Sequence, residues 1–254
     1  MRRAGQRRHF AGHSKWANIR KKKGGLDAAR GDLFAKLSRN VEVASRVAKG
    51  DRSSIGLASA ISRAKDQRLP KKTLEAAIAR GAEGKAAGAD VEQLTYEGTL
   101  PGGVGVVVEA LTDNKNRTVN DLRTAFRRAG GALGAPNSVV WAWRRVGELR
   151  IAGVAGDAAH EALFDAASEH GAEDIGDLGD DDGVLVSCAA DDTAAVRDGV
   201  GAAGFEVSSV DLVWSPNAEV EVEEGGGDAL LSALDALDDL GDVAAVFHNA
   251  AAGG

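Results

Sequence analysis

The stretch VGVVVEALTDNKNRTVNDLRTAFRRAGG, residues 104–131, is where the chain changes from one kind of fold to another. Val104–Leu111 is short and β-branched, the pattern of a strand buried within a sheet. Thr112–Arg117 (TDNKNR) reads as a polar loop. Thr118 is the expected N-cap of the next helix, because its hydroxyl can accept from the first unpaired N–H groups. Gly130–Gly131 ends that helix. Val119, Leu122, Phe126 and Ala129 fall on one side and would face a sheet, whereas Arg123 and Arg127 share another face one turn apart.

Upstream the period is helical. In Asp32–Lys49 the residues Leu33, Leu37, Val41, Ala44 and Ala48 form one stripe, and Gly50 closes the segment. A second helix is expected over Ser54–Gln67, with Leu57, Ala58, Ile61 and Ala64 inward. A third starts at Pro70, which loses no hydrogen bond in a first turn, and ends before Gly81. Ala82–Asp90 reads as a Gly/Ala-rich linker.

Downstream, strand and helix alternate. Ser138–Trp143 is an expected strand with Trp141 and Trp143 on one side. A helix over Asp157–His170, a strand near Glu173, a turn at Asp180–Gly183, a strand over Val184–Cys188, a helix over Asp192–Ala203 and a strand over Phe205–Val213 follow. That β-α-β-β-α-β order is the ferredoxin-like unit. A strand at Glu219–Glu223, a Gly225–Gly227 loop, a helix over Asp228–Leu240 and a strand over Val243–His248 would complete the sheet begun at Val104. The expected fold is α+β and multidomain. A basic arm and three-helix bundle occupy 11–82, an α+β second domain 83–137 plus 214–254, and an inserted ferredoxin-like third domain 138–213.

The charge is divided. The net charge of −7 conceals residues 1–80, with 21 Lys+Arg against 6 Asp+Glu, and a remainder with 10 against 32. A surplus of +15 on the first third is the footprint of a nucleic-acid binder. The alternative is a basic and an acidic domain that neutralise each other by docking. Within GHSKWANIRKKK (12–23), Lys15, Arg20, Lys21, Lys22 and Lys23 surround Trp16 with no carboxylate among them. Cations release counterions from phosphates, and an unburied indole offers a face for a base. Trp16 could equally anchor the arm to the bundle. MRRAGQRRHF (1–10) carries four arginines and no acid, as a mitochondrial targeting segment does, or merely extends the arm.

No apolar run approaches the ~20 residues of a membrane helix. The single Cys188 excludes an intrachain disulfide and any cluster built on several thiolates. The five histidines lack metal spacing, and no phosphate-loop motif is present. Asp180–Asp182, and the acids Asp235, Asp238 and Asp239, read as solvated surface. The chain is therefore expected to be no enzyme, with no catalytic residue, metal or cofactor.

The stretches GHSKWANIR (12–20), ARGDLFAKLSR (29–39), LPKKTLEAAIARG (69–81), 96–131 and DALDDLGDVAAVFHN (235–249) make the chain resemble the YebC family. The resemblance implies a three-helix domain, an α+β domain and an inserted ferredoxin-like domain. It also implies a translation factor that binds the ribosome and relieves stalling on proline-rich nascent chains. Mitochondrial members of the family support synthesis of cytochrome c oxidase subunit one. Carried over by position, His13, Lys15, Trp16, Asn18 and Arg20 match the arm motif and Asn114, Lys115, Asn116 and Arg117 the central loop. The expected RNA-binding residues are these matches other than Asn116, with the cations Lys21, Lys22, Lys23, Arg30, Arg123 and Arg127 added on charge. The histidine that usually follows the arm's arginine is replaced here by Lys21. The expected partners are the ribosome and rRNA, with mRNA or tRNA nearby, and the chain is expected to be a monomer of the mitochondrial matrix. The alternatives are a cytoplasmic location and a DNA-binding transcriptional regulator.

Overall fold

A computed structural model of the chain describes residues 27–84, 91–178, 183–222 and 225–251, with 27–30 as backbone alone. The expected targeting segment 1–10, the arm, most of the 82–90 linker and most of the Asp180–Gly183 turn lie outside the described residues.

Three helices come first: α1 (Asp27–Val47), α2 (Ile55–Asp66) and α3 (Lys71–Ala82). Their stripes meet as expected in a core of Leu37, Val41, Leu57, Ala64, Leu69, Leu74, Ala77 and Ile78. Two features set the helix spacing. Ser45 Oγ donates to the Ile78 carbonyl at 2.7 Å. Gly81 lets α3 approach α1, since a Cβ there would lie 2.3 Å from the Glu42 carbonyl oxygen.

The second region begins with β1 (Glu92–Leu100), which the sequence reading did not contain. Tyr96 and Leu100 pack on the core side of β1, and Glu97 lies buried on the other, so the alternation is interrupted by a charge. The turn Pro101–Gly103, with Gly102 and Gly103 both at positive φ, returns the chain into β2 (Val104–Thr112). Leu100 pairs with Val104 and Glu92 with Thr112 in one antiparallel hairpin. After α4 (Lys115–Arg128) a two-residue strand β3 (Ala132–Leu133) borders β1. The sheet order is β3-β1-β2-β8, where β8 is Val243–His248. Val104, Val106 and Val108 of β2 pack with Leu122 and Phe126 of α4 and with Leu230, Leu234 and Leu237 of α7 (Gly227–Asp238).

Two expected strands of this region are corrected. Val140–Ala142 is a single 3₁₀ turn, not part of a strand, and Trp141 and Trp143 do not share a side: Trp141 is 71% exposed and Trp143 is buried. The cause is Glu97, whose carboxylate accepts from the backbone N–H groups of Asn137, Val139 and Val140 at 2.6, 2.7 and 2.8 Å and so curls the segment around itself. Asn137 takes a left-handed φ of 64° to allow it. The strand expected at Glu219–Glu223 is one parallel bridge, Val220 with Ala250.

The inserted region is β4 (Trp143–Ala152), α5 (Asp157–Glu169), β5 (Ala172–Asp177), β6 (Gly183–Ala189), α6 (Thr193–Ala202) and β7 (Glu206–Pro216). Its sheet order is β5-β6-β4-β7, so the unit's first and third strands lie centrally, as in a ferredoxin-like fold. Leu149, Ile151, Val184, Val186 and Cys188 pack under Leu163 and Ala167 of α5 and Val196 and Val200 of α6. Cys188 is a core residue, and burial pushes its thiol above the ordinary range.

The chain divides into two compact units. One contains Glu92–Arg144 with the chain from Ser215, and the other joins Asp32–Val91 to Arg145–Trp214. Within the latter, Ser59 and Arg63 of α2 both bond Asp211 of β7, at 2.9 and 3.3 Å, and Arg63 also donates to the Leu212 carbonyl.

Candidate nucleic-acid interface

Of the expected RNA-binding residues, His13, Lys15, Trp16, Asn18, Arg20, Lys21, Lys22 and Lys23 lie outside the described residues. Arg30 stands in the first turns of α1.

The loop at Asn114–Arg117 is not a loop. Asn114, rather than Thr118, caps α4, its Oδ1 accepting from the Arg117 N–H at 3.1 Å, and Lys115–Arg117 form the first helical turn. Asparagine two residues after a strand caps earlier than the threonine can, which frees Thr118 for other work. Thr118 Oγ1 donates to Asp242 at 2.8 Å, and Thr112 Oγ1 lies 3.2 Å from the same carboxylate oxygen. Arg117 joins them, with a bidentate approach to Asp242 at 2.9 Å and a further bond to Asp113 at 2.8 Å. These bonds, Asp242 first, hold the Arg117 guanidinium above its ordinary pKa. Lys115 pairs with Glu92 at 2.8 Å. Asn114, Lys115 and Arg117 thus tie the end of β2, the start of α4 and the approach to β8 together.

Arg123 and Arg127 do stand exposed on α4, with Arg128 beside them; Arg123 reaches Asn120 at 3.3 Å. Trp141 is a further exposed group, its Nε1 donating to the Ser138 carbonyl while its ring faces outward. Sequence reading missed it as a surface indole because the Glu97 nest is invisible in the residue pattern.

The three-helix region carries the densest exposed cations among the described residues. At the α2–α3 corner, Lys65, Arg68, Lys71 and Lys72 are all exposed. The corner is built by a C-terminal cap in which the Leu69 N–H reaches the Ala64 carbonyl and the Arg68 N–H the Lys65 carbonyl, both 2.8 Å. The residue in the left-handed position of such a cap is ordinarily glycine. Here it is Arg68, φ 59°. The end of α1 repeats the device. Gly50 N–H bonds the Ser45 carbonyl at 2.9 Å, Lys49 N–H the Arg46 carbonyl, and Lys49 sits at φ 51°. An L-residue there costs about 1–2 kcal/mol of backbone strain. Favourable contact of a cation with the helix dipole offsets only about 0.3–1 kcal/mol. The run KDQRLPKK (65–72) was the available signal.

The exposed residues of α3 include Lys71, Lys72, Thr73, Ala76, Ala79 and Arg80, with Arg80 paired to Glu42 at 2.9 Å. Base edges are read by Arg, Lys, Asn, Gln, Glu, Asp, Ser or Thr side chains in a groove, and of these exposed residues only Lys71, Lys72, Thr73 and Arg80 could do so. Ala76 and Ala79 occupy the middle of the exposed surface instead. The arrangement suits phosphate contacts, which position without reading sequence. Among the described residues no group of three or more His, Cys, Asp or Glu could hold a metal, and no helix is long and apolar enough to cross a membrane.

Residues 14–84 match the family described as the TACO1/YebC protein N-terminal domain, and residues 91–250 match the TACO1/YebC second and third domain. A probable transcriptional regulatory protein of Streptomyces coelicolor is 41% identical over 241 residues, covering 94% of this chain and 95% of that protein. One from Acidothermus cellulolyticus is 41% identical over 243 residues, covering 94% and 96%. The crystal structure of a conserved hypothetical protein, Aq1575, from Aquifex aeolicus superposes with a TM-score of 0.73 at 34% identity, covering 92% of this chain and 96% of that one.

Proposed function

The chain belongs to the TACO1/YebC family, and from that premise we propose that it is a non-enzymatic translation factor that clamps ribosomal RNA by its phosphates. The observation that carries this reading is the pair of helix caps in which Lys49 and Arg68 hold the left-handed position that glycine fills without strain. A fold that accepts strain to display cations at two corners of one small bundle is using those cations. Lys65, Lys71 and Lys72 widen the Arg68 corner, and the Lys21–Lys23 run adds charge in the sequence that precedes α1. On the other compact unit, Arg123 and Arg127 supply a separate contact, with Asn114, Lys115 and Arg117 holding α4 in place for it. Mitochondrial members of the family support an oxidase subunit, but the relatives named above are bacterial, which supports the cytoplasmic location over the matrix.

A second reading, a DNA-binding transcriptional regulator, is favoured by the names of those relatives. The alanines at the centre of the exposed surface of α3 weigh against sequence-specific readout by that helix. The test is competitive titration of the chain with a fragment of rRNA and with duplex DNA of mixed sequence, over a range of salt. Preference for rRNA, with binding weakened and its salt slope flattened by alanine at Lys21–Lys23, is expected. Selective retention of particular duplex sequences would replace this reading with the regulator.

A further inference from the structure

Between α2 and the outer edge of β7, both in one compact unit, lies a groove of about 290 Å³. Arg52, Lys65 and Arg197 line it with three serines, Ser62, Ser208 and Ser209, and with Ile61 on its apolar side. The Ser208 hydroxyl is spent on the Arg150 carbonyl at 3.0 Å. No carboxylate lines it. Glu75 and Asp198 pair with Arg52 and Arg197 from outside the lining, and the Ser53 carbonyl takes another Arg197 N–H at 2.6 Å. Those bonds fix two guanidinium groups, each a fork of five donors, at the groove.

Ser209 is the second and independent observation. It is 8% exposed and lines the groove, and its Oγ has no hydrogen-bond partner. A buried hydroxyl left unbonded destabilises the fold that contains it. As placed, the Ser209 Oγ is closed to solvent, so it serves a ligand in the groove only by turning about its Cα–Cβ bond. That donor and three cations suit a compact, multivalent anionic acceptor. The volume falls just below the range for ligand clefts, about 300–1,000 Å³, which suits one nucleotide unit rather than a folded partner.

We propose that this groove holds one nucleotide unit of single-stranded RNA. Arg52, Lys65 and Arg197 take the phosphate, the Ser209 hydroxyl donates to it, and Ile61 lies under the apolar part of the nucleotide. The inference rests on the RNA-binding reading above and adds a subsite that neither the arm nor the α2–α3 corner supplies alone.

The test is a fluorescence-anisotropy titration of the full chain with a labelled single-stranded RNA oligonucleotide at several salt concentrations, for wild type, Lys65→Ala and Ser209→Ala, with thermal melts of all three. Lys65→Ala is expected to reduce the slope of log K against log salt by about 0.7, one single-strand phosphate contact. Ser209→Ala is expected to weaken binding about three- to tenfold at every salt, the loss of one hydrogen bond. It should leave the slope unchanged and melt no lower than wild type, because it removes an unsatisfied hydroxyl. Because Lys65 also belongs to the α2–α3 corner, Ser209→Ala binding equal to wild type overturns the groove as an RNA subsite whatever Lys65→Ala does, and leaves the RNA reading standing. A wild type that binds no RNA at low salt overturns both. Adenosine monophosphate binding that is lost in Ser209→Ala, with RNA affinity unchanged, assigns the groove to a free nucleotide and overturns the RNA subsite.

Discussion

Replacing Asp242 by alanine separates the structural role of the Asn114–Arg117 segment from an RNA-binding one. Asp242 is 9% exposed, and Thr112 and Thr118 are at most 2% exposed. Both hydroxyls point at its carboxylate, at 3.2 and 2.8 Å. Without it, the Thr112 hydroxyl proton loses its acceptor, although the Thr112 oxygen still accepts from the Asn114 N–H at 2.9 Å. Thr118 keeps weaker alternatives in Thr112 Oγ1 and the Asn114 carbonyl. Each buried polar group deprived of a partner costs about 1–3 kcal/mol. One such loss and a partial second give about 2–3 kcal/mol. Arg117 faces solvent and rehydrates, so it adds nothing to that figure. With a urea m-value of about 2–3 kcal/mol/M, the midpoint should fall by about 1 M. A midpoint within about 0.2 M of wild type would refute the claim that this carboxylate holds β2, α4 and β8 together. Arg117→Ala belongs in the same experiment. It should leave the salt slope of RNA binding unchanged, and a fall of about 0.7 would return Arg117 to the phosphate contacts.

Three other outcomes are expected. Arg68→Gly releases about 1–2 kcal/mol of left-handed strain against about 0.5–1 kcal/mol of glycine entropy. Stability should stay level or rise by up to about 1 kcal/mol in a denaturant melt while RNA affinity falls; a stable variant with unchanged affinity would remove the capping cation from the interface. Burial alone would raise the Glu97 carboxyl, but N–H donors from Val140, Val139, Asn137 and Ser138 together hold it below the ordinary range. Its contribution is therefore present above the unfolded pKa and lost as pH falls through the depressed folded value. Glu97→Gln should be less stable at pH 7 by about 2 kcal/mol and nearly equal to wild type in strong acid, and a constant gap across pH would contradict this. Glu148 behaves in the opposite sense. Desolvation, with Asp211 beside it, pushes it up to about 7 against the pull of Arg150 and Arg63. The folded form holds a proton that the unfolded form releases, so stability falls as pH rises from the ordinary carboxylate range to about 7. Glu148→Gln should flatten that decline, and an unchanged pH profile would exclude it.

Most of the fold was legible because its elements obey local rules. The helical stripes of 32–80, the short β-branched strand at Val104 and the β-α-β-β-α-β order each follow from a period and a stop signal. What was hidden depended on contacts distant in sequence. β1 carries Glu97 on a buried face, so EQLTYEGTL does not read as a strand until the N–H groups of 137–140 are known to enclose that charge. Trp141 was misplaced for the same reason. Thr118 looked like a cap because its partner, Asp242, is 124 residues away. The candidate interface was legible as charge but not as geometry. No pattern in KDQRLPKK announces that its arginine sits at a positive φ, and Ser209 is an ordinary strand serine until its hydroxyl is found without a partner.

The most direct test of the central claim is co-sedimentation of the full chain with ribosomes from its own source cell at two salt concentrations, with an Arg68→Ala/Lys71→Ala/Lys72→Ala variant alongside. Wild-type protein should travel with the ribosome at low salt and leave it at high salt, and the variant should remain at the top of the gradient in both. Wild type that stays at the top at low salt, or a variant that comigrates as fully as wild type, would contradict a factor that grips rRNA through this bundle.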